Sequence, residues 1–180
     1  NGGFFKTRTK QAVAMGFIKT GGYRPAQIGA ETGVAVAVDT AGVLRLIDWS
    51  LAMEQADAPH RDRYPDVMVT GPMLLRGGRS LIPWDSTAPR HPRSCVGTKA
   101  DGTVLLMVVD GRQSRAAGMA LCELAYAARL MGAADAINLD GGGSSTLWTK
   151  GQGIVNAPSD RMLFFRSERP VCNAIVVKRK

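Results

Sequence analysis

Two apolar runs each end in a carboxylate followed by glycine. VVDGRQ sets Asp110, Gly111 and Arg112 in succession, and INLDGGGSST sets Asp140 ahead of Gly141, Gly142, Gly143, Ser144, Ser145 and Thr146. A carboxylate at a strand end can serve as nucleophile or general base. Glycines beside it leave their backbone N–H groups unshielded by a Cβ, so an anion can approach closely, and the serine hydroxyls add donors. Arg93, Arg112 and Arg169 each stand beside an expected strand end and carry a planar fork suited to phosphate or carboxylate. Glu168 either pairs with a neighbouring arginine or supplies a second carboxylate for acid/base work.

Spacing sets several chemistries aside. The glycine stretch lacks the lysine of a phosphate-binding loop and the GxGxxG order of a dinucleotide fingerprint, which disfavours nucleotide binding. A serine hydrolase would need a G-x-S-x-G elbow, which is absent, and of the two histidines, His60 and His91, the second precedes Pro92 in a proline-broken loop. Asp110 and Asp140 with backbone carbonyls are the right chemistry for Ca²⁺ or Mg²⁺. No clustered ligand spacing supports such a site, so no cofactor is expected and a divalent cation stays an open reading. Cys95, Cys122 and Cys172 are widely spaced without a CxxC, which signals no zinc site and allows at most one bridge plus a free thiol.

These residues need a scaffold. Alternating apolar and β-branched positions predict strands over 12–18, 34–38, 43–47, 67–70, 103–109, 136–139 and 171–177. The polar segment 52–64 reads as a surface loop or short helix, and 79–93 is broken by prolines. One helix is predicted over 116–131, with Leu121, Leu124, Ala125 and Ala128 on one stripe and Gly132 as its stop. The flanking runs TVLLMVV and AINL look too continuously apolar to have a wet face. Strand, helix and strand make a βαβ unit at about 103–139, whose crossover runs the two strands parallel. Ligands bind outside the carboxyl ends of such strands, so Asp110, Arg112, Asp140, Ser144 and Ser145 are expected at one edge. The fold class read from this is α/β or α+β: a single domain in which a mixed sheet packs against helices.

With 180 residues the chain fits one domain with a substantial core. Its charge of +8, from 23 basic and 15 acidic residues, suits an anionic partner such as nucleic acid, acidic polysaccharide or a phosphate-bearing polymer, or serves solubility alone. No apolar run approaches the ~20 residues of a membrane span, and no signal-peptide pattern opens the chain. It begins at Asn1, which reads as a processed chain or a fragment.

NGGFF at the start, TGPMLLRGG, HPRSCVG with DGTVLLMVVDGR, the long GMALCELAYAARLMGAADAINLDGGGSST, and VNAPSD with ERPVCNAIVV together resemble the phosphodiester glycosidase family, in order across nearly the whole chain. The resemblance implies a mixed α/β domain over 1–180 that hydrolyses the bond between a sugar's anomeric carbon and a phosphodiester. It also places further strands before NGGFF, so the expectation is either a domain lacking its N-terminal strands or a minimal version whose sheet edge is completed differently. Its substrate would be a carbohydrate phosphodiester, monomeric or polymeric as in an envelope or capsule, with no nucleic acid and a secreted or cell-envelope setting. The oligomeric state stays open.

For that chemistry Asp140 is the first choice as nucleophile or base, with Asp110 or Glu168 as partner. Arg93, Arg112 and Arg169, together with the Gly141–Gly143 amides and the Ser144 and Ser145 hydroxyls, would hold the phosphate. The side-chain amides of Asn1 and Asn156 suit sugar hydroxyls, or cap turns. A carboxylate separation of about 5 Å would imply a covalent intermediate, and about 6.5–9.5 Å a bound water. Two rival readings use the same edge: a non-catalytic module for anionic polysaccharide, and a metal-dependent phosphodiesterase that cuts P–O.

Overall fold

The strand VAVAV packs on both of its faces, and the layers follow from that. The computed structural model describes residues 1–8, 11–23, 27–28, 33–49, 63–162 and 165–178. Its first strands are β1 (Phe5–Arg8), β2 (Gln11–Met15), β3 (Ile18–Lys19), β4 (Gln27–Ile28), β5 (Val34–Val38) and β6 (Leu44–Asp48). Next come β7 (Asp66–Thr70), β8 (Met73–Arg76), β9 (Arg79–Ser80), β10 (Arg93–Thr98) and β11 (Val104–Val109). Helix α1 (Leu121–Leu130), β12 (Asp135–Asn138), a 3₁₀ turn (Gly142–Ser144) and two hairpins complete the chain: β13 (Trp148–Thr149) with β14 (Gly153–Ile154), and β15 (Arg161–Met162) with β16 (Phe165–Arg166).

Five strands form one sheet in the order β11-β10-β12-β8-β9, four form a second in the order β3-β7-β5-β6, and β1-β2-β4 form a third. On β5, Val34 and Val36 turn toward Met73, Val96, Ile137 and Leu139, so one core lies between the two larger sheets. Ala35 and Ala37 turn the other way, onto Phe17, Trp49, Tyr64 and Val69, where the Phe17 and Trp49 rings stack at 5.2 Å. A third core joins the far face of the five-stranded sheet to α1 through Leu74, Leu75, Cys95 and Ala136 against Leu124, Ala125 and Ala128. This is an α+β architecture of stacked layers, with a single α-helix among the described residues. Leu124 is fully buried. Replacing it by Ala is expected to lower the unfolding free energy by about 2–5 kcal/mol, measured by denaturant titration.

The strand-helix-strand unit is present with one correction. β11 and β12 both pair antiparallel with β10, so they point the same way, but β10 lies between them. The five-stranded sheet is therefore antiparallel throughout its pairs, and the parallel pairing falls at β2 with β4. β11 is an edge strand, only partly buried, contrary to the expectation from its apolar run.

Three other elements depart from expectation. Helix α1 starts at Leu121 rather than 116, because Met119 exchanges backbone hydrogen bonds with His91 and Gly118 takes φ +91°. Glu123 then accepts the Ala120 N–H at 2.9 Å, opening the helix from within. The expected strand at 12–18 breaks at Gly16, φ +88°, into β2 and β3. Residues 171–177 form no strand: they run beside the first residues, held by Ile175 N–H to the Asn1 carbonyl at 3.4 Å and Gly3 N–H to Asn173 Oδ1 at 2.6 Å. All three cysteines are free, and burial pushes the Cys95 thiol up to about 12. Most of the segment 52–64 lies outside the described residues.

Candidate functional site

The sheet topology decides which residues meet. Since β11 and β12 run the same way, their carboxyl ends reach one edge, and the antiparallel β10 between them starts at that edge. Arg93, the first residue of β10, pairs with Val109, and the Leu139 amide donates to the Ser94 carbonyl at 2.8 Å. Asp110, Arg93 and Asp140 are thus gathered by strand register alone.

The triple glycine is the centre of this edge, for a reason other than the expected amide nest. The Gly141 N–H donates to Asp140 Oδ1 at 2.9 Å and the Gly142 N–H to the Pro92 carbonyl at 2.9 Å, so both amides are engaged within the protein. What the glycines supply is room. A Cβ on Gly141 would lie 2.8 Å from the Pro92 carbonyl oxygen, and one on Gly142 would lie 3.1 Å from the Arg112 guanidinium, at a residue with φ +60°. On Gly143 it would fall 1.8 Å from Asp160 Oδ1. Backbone here comes closer to side chains than any other residue type permits.

Three guanidinium groups surround the turn. Arg169 donates to Ser144 Oγ through Nε at 3.0 Å and Nη2 at 2.5 Å, and lies 3.9 Å from Asp140 Oδ2 and 3.6 Å from Asp160 Oδ2. Two carboxylates therefore flank one cation. Arg112, itself at φ +56°, reaches His91 Nδ1 at 3.3 Å. Arginine can only donate, so Nδ1 is the acceptor and the imidazole is neutral with its proton on Nε2. Burial first, then the Arg112 and Arg93 charges, hold His91 below its ordinary range, in agreement with a neutral ring. Arg93 donates to the carbonyls of Met119 at 2.9 Å and Pro89 at 3.5 Å, and burial, followed by the Arg112 charge, draws its pKa down. Among the described residues, neither Arg93 nor Arg112 has a carboxylate partner. They are two cations hydrogen-bonded only to neutral groups.

The remaining expected residues take other roles. Asp110 Oδ1 accepts from Asn156 Nδ2 at 3.0 Å and from the Ala157 N–H at 3.0 Å, which anchors the loop before β15. Asn156 also donates to the Ser145 carbonyl at 3.0 Å and accepts from the Leu147 N–H at 2.8 Å. Asn1 accepts from Ser94 Oγ at 2.9 Å and donates to the Asp140 carbonyl at 2.5 Å. Both asparagine amides clamp the backbone around the turn, the capping role of the two alternatives expected for them. Ser144 and Ser145 are 0% and 1% exposed, tucked beneath the 3₁₀ turn, so neither offers its hydroxyl to the surface. Ser144 is held by Arg169 and not by a histidine, which removes the serine-nucleophile pairing.

Glu168 is exposed and lines, with Arg169, Asn1 and Ser94, a cavity of about 660 Å³ whose walls include Leu106, Val108 and Leu147. Asp160 was not singled out from sequence. Its signals were its place at the end of the VNAPSD motif and the third glycine, Gly143, that makes space for it. Among the described residues there is no group of three or more His, Cys, Asp or Glu side chains that could hold a metal ion, and no helix long and apolar enough to cross a membrane.

The sequence matches the family model described as phosphodiester glycosidase over residues 1–178. The chain belongs to that family. Among solved structures, this phosphodiester glycosidase family member is similar to the zebrafish N-acetylglucosamine-1-phosphodiester alpha-N-acetylglucosaminidase catalytic domain auto-inhibited by its pro-peptide, with 26% identity and a TM-score of 0.76. That match covers 95% of this chain and 59% of the zebrafish one. Among curated proteins it is 36% identical over 76 residues to the SPbeta prophage-derived uncharacterized protein YomE of Bacillus subtilis (strain 168), covering 42% of this chain and 12% of YomE. The chain thus spans a little over half of the structural relative and a small part of the curated one.

Proposed function

We propose that this chain hydrolyses the C1–O bond of a sugar 1-phosphodiester, releasing the free sugar and a phosphomonoester. The observation that carries the reading is the convergence of Arg93, Arg112 and Arg169 on the turn bearing Asp140, two of these cations having no carboxylate partner among the described residues. A phosphodiester is the anion such an array attracts, and preorganised donors aimed at charge that develops on a leaving phosphate contribute on the order of 3–4 kcal/mol each. In this reaction water adds its hydroxyl to the anomeric carbon, the C1–O pair leaves with the phosphate, and the remaining proton goes to solvent or the phosphate. Asp140 is the group assigned to attack or activate water at an oxocarbenium-like centre. Asp160, on the other side of Arg169, is a better partner for it than Asp110, whose Oδ1 holds the 156–157 loop. Asp110 is then a positioning residue.

The family, and the activity for which the zebrafish relative is named, make N-acetylglucosamine 1-(methyl phosphate) the first probe. In ¹⁸O-labelled water the expected result is release of free sugar with the label at its anomeric oxygen and methyl phosphate without label. Label in the phosphate would instead assign P–O cleavage, and binding without release would assign a non-catalytic module. The setting proposed for this activity is an envelope or secreted polysaccharide, in keeping with the charge of +8.

A further inference from the structure

Beside Arg93, whose Nε donates to the Met119 carbonyl, lies a groove that the chemistry above does not use. Its floor is Gly118 and Met119, and its volume is about 440 Å³. One wall is the loop carrying Trp84 and Arg90; the other is the exposed side of α1, with Glu123, Tyr126 and Leu130. Trp84 is 67% and Tyr126 48% exposed, an unusual surface placement for two large rings. Between them Arg90 and Glu123 are joined by paired hydrogen bonds, Nε to Oε2 at 3.0 Å and Nη2 to Oε1.

We propose that this groove is a second carbohydrate subsite, which holds the next sugar unit of a phosphodiester-linked polymer. The inference rests on the reading of the arginine cluster as the site of a sugar 1-phosphodiester C1–O hydrolase. Continuity with that cluster supports it. Met119, on the groove floor, accepts Arg93 Nε at 2.9 Å and pairs with His91, and Pro89, one residue before Arg90, accepts from Arg93 Nη2 at 3.5 Å. The groove therefore adjoins the arginine that would hold the phosphate.

The chemistry of the walls fits a sugar. Aromatic faces cover the apolar C–H face of a pyranose, and a fixed guanidinium–carboxylate pair offers donors and acceptors in one plane to neighbouring hydroxyls. Arg129, its guanidinium 5.4 Å from the Tyr126 ring centroid, sets a further cation beside the platform where a polymer would bring its next phosphate.

Two probes decide it: N-acetylglucosamine 1-(methyl phosphate), and a hexamer of N-acetylglucosamine units joined through anomeric phosphodiesters. For the unaltered protein, kcat/KM is expected to favour the hexamer by about tenfold or more. Trp84→Ala and Tyr126→Ala should each collapse that ratio toward one, as loss of an aromatic contact does at a binding hot spot. Equal kcat/KM for the two probes, or a ratio that survives both substitutions, overturns the subsite while leaving the hydrolase reading intact. Calorimetric binding of the hexamer to the Asp140→Asn protein keeps the two questions apart. Should neither probe be hydrolysed, a roughly tenfold weaker hexamer affinity on adding Trp84→Ala still supports the groove as a glycan site, and no change removes it.

Discussion

Replacing Asp140 by Asn lowers the turnover of N-acetylglucosamine 1-(methyl phosphate) by about 10³-fold or more and leaves the melting temperature within a few degrees, if Asp140 is the group that attacks or activates water. The expectation follows from what the substitution keeps. Asn retains an oxygen that can accept the Gly141 N–H, now received by Asp140 Oδ1 at 2.9 Å, and it alters neither the β12 register nor the Asn1 contact to the residue's carbonyl. It removes the charge that faces Arg169 at 3.9 Å and the basicity the reaction needs. Asp110→Asn is the informative comparison. That carboxylate anchors Asn156 and Ala157, so its loss should loosen the loop, lower thermal stability and raise KM, with a smaller fall in kcat. Initial rates and thermal melts on the two variants separate a group that reacts from one that positions. Full activity in the Asp140 variant would end the assignment.

How much of this site the sequence made legible depends on the range of the force involved. Strands 34–38 and 67–70 were readable because alternation and β-branching act locally, and Asp110 and Asp140 were placed at one edge because each follows an apolar run. β10 was unreadable. RSCVGT carries an arginine and a glycine in six residues, and it is a strand because β11 and β12 bond to it on both sides, a tertiary effect that no local window contains. The tail 171–177 shows the converse: its alternation is real, but it meets one backbone partner at Asn1 and leaves Val176 and Val177 largely exposed. The serines and asparagines around the turn looked like substrate contacts because residue type reveals hydrogen-bonding capacity and not direction. In the fold that capacity faces inward, onto Arg169, Asp110 and the surrounding backbone.

Charge explains why so much inward bonding is concentrated here. Burial and then the Arg112 charge draw down the pKa of Arg93, and among the described residues no carboxylate pairs with either arginine. Like charges held together raise the energy of the folded state, so the surrounding structure must over-determine their positions. The bonds from Arg93 to Met119 and Pro89, from Arg112 to His91, and from Arg169 to Ser144 do so. An anion that bridges the guanidinium groups relieves the repulsion, and the site is thereby organised before substrate arrives.

Gly143→Ala carries the second large effect. The added methyl would lie 1.8 Å from Asp160 Oδ1 and 2.2 Å from its Cγ, so both cannot stay. Gly143 itself does not need a positive φ, and Asp160 is a half-buried side chain on a loop that can rotate aside. The fold therefore survives while the carboxylate is driven from its place 3.6 Å from Arg169. A displacement of about 1 Å in a reacting constellation costs on the order of 10²-fold in rate, and this one is larger, so a fall of ~10²–10³-fold in kcat is expected with little change in melting temperature. Gly151→Ala provides the contrast: with φ +90° and no neighbour within 4 Å of the new Cβ, it should cost about 1 kcal/mol of stability and leave kcat unchanged. Asp160→Asn tests the cause. If Asp160 works with Asp140 across Arg169, its rate matches that of Gly143→Ala; if the asparagine variant is fully active while the alanine variant is not, the methyl acts through the turn and Asp160 has no part in the chemistry.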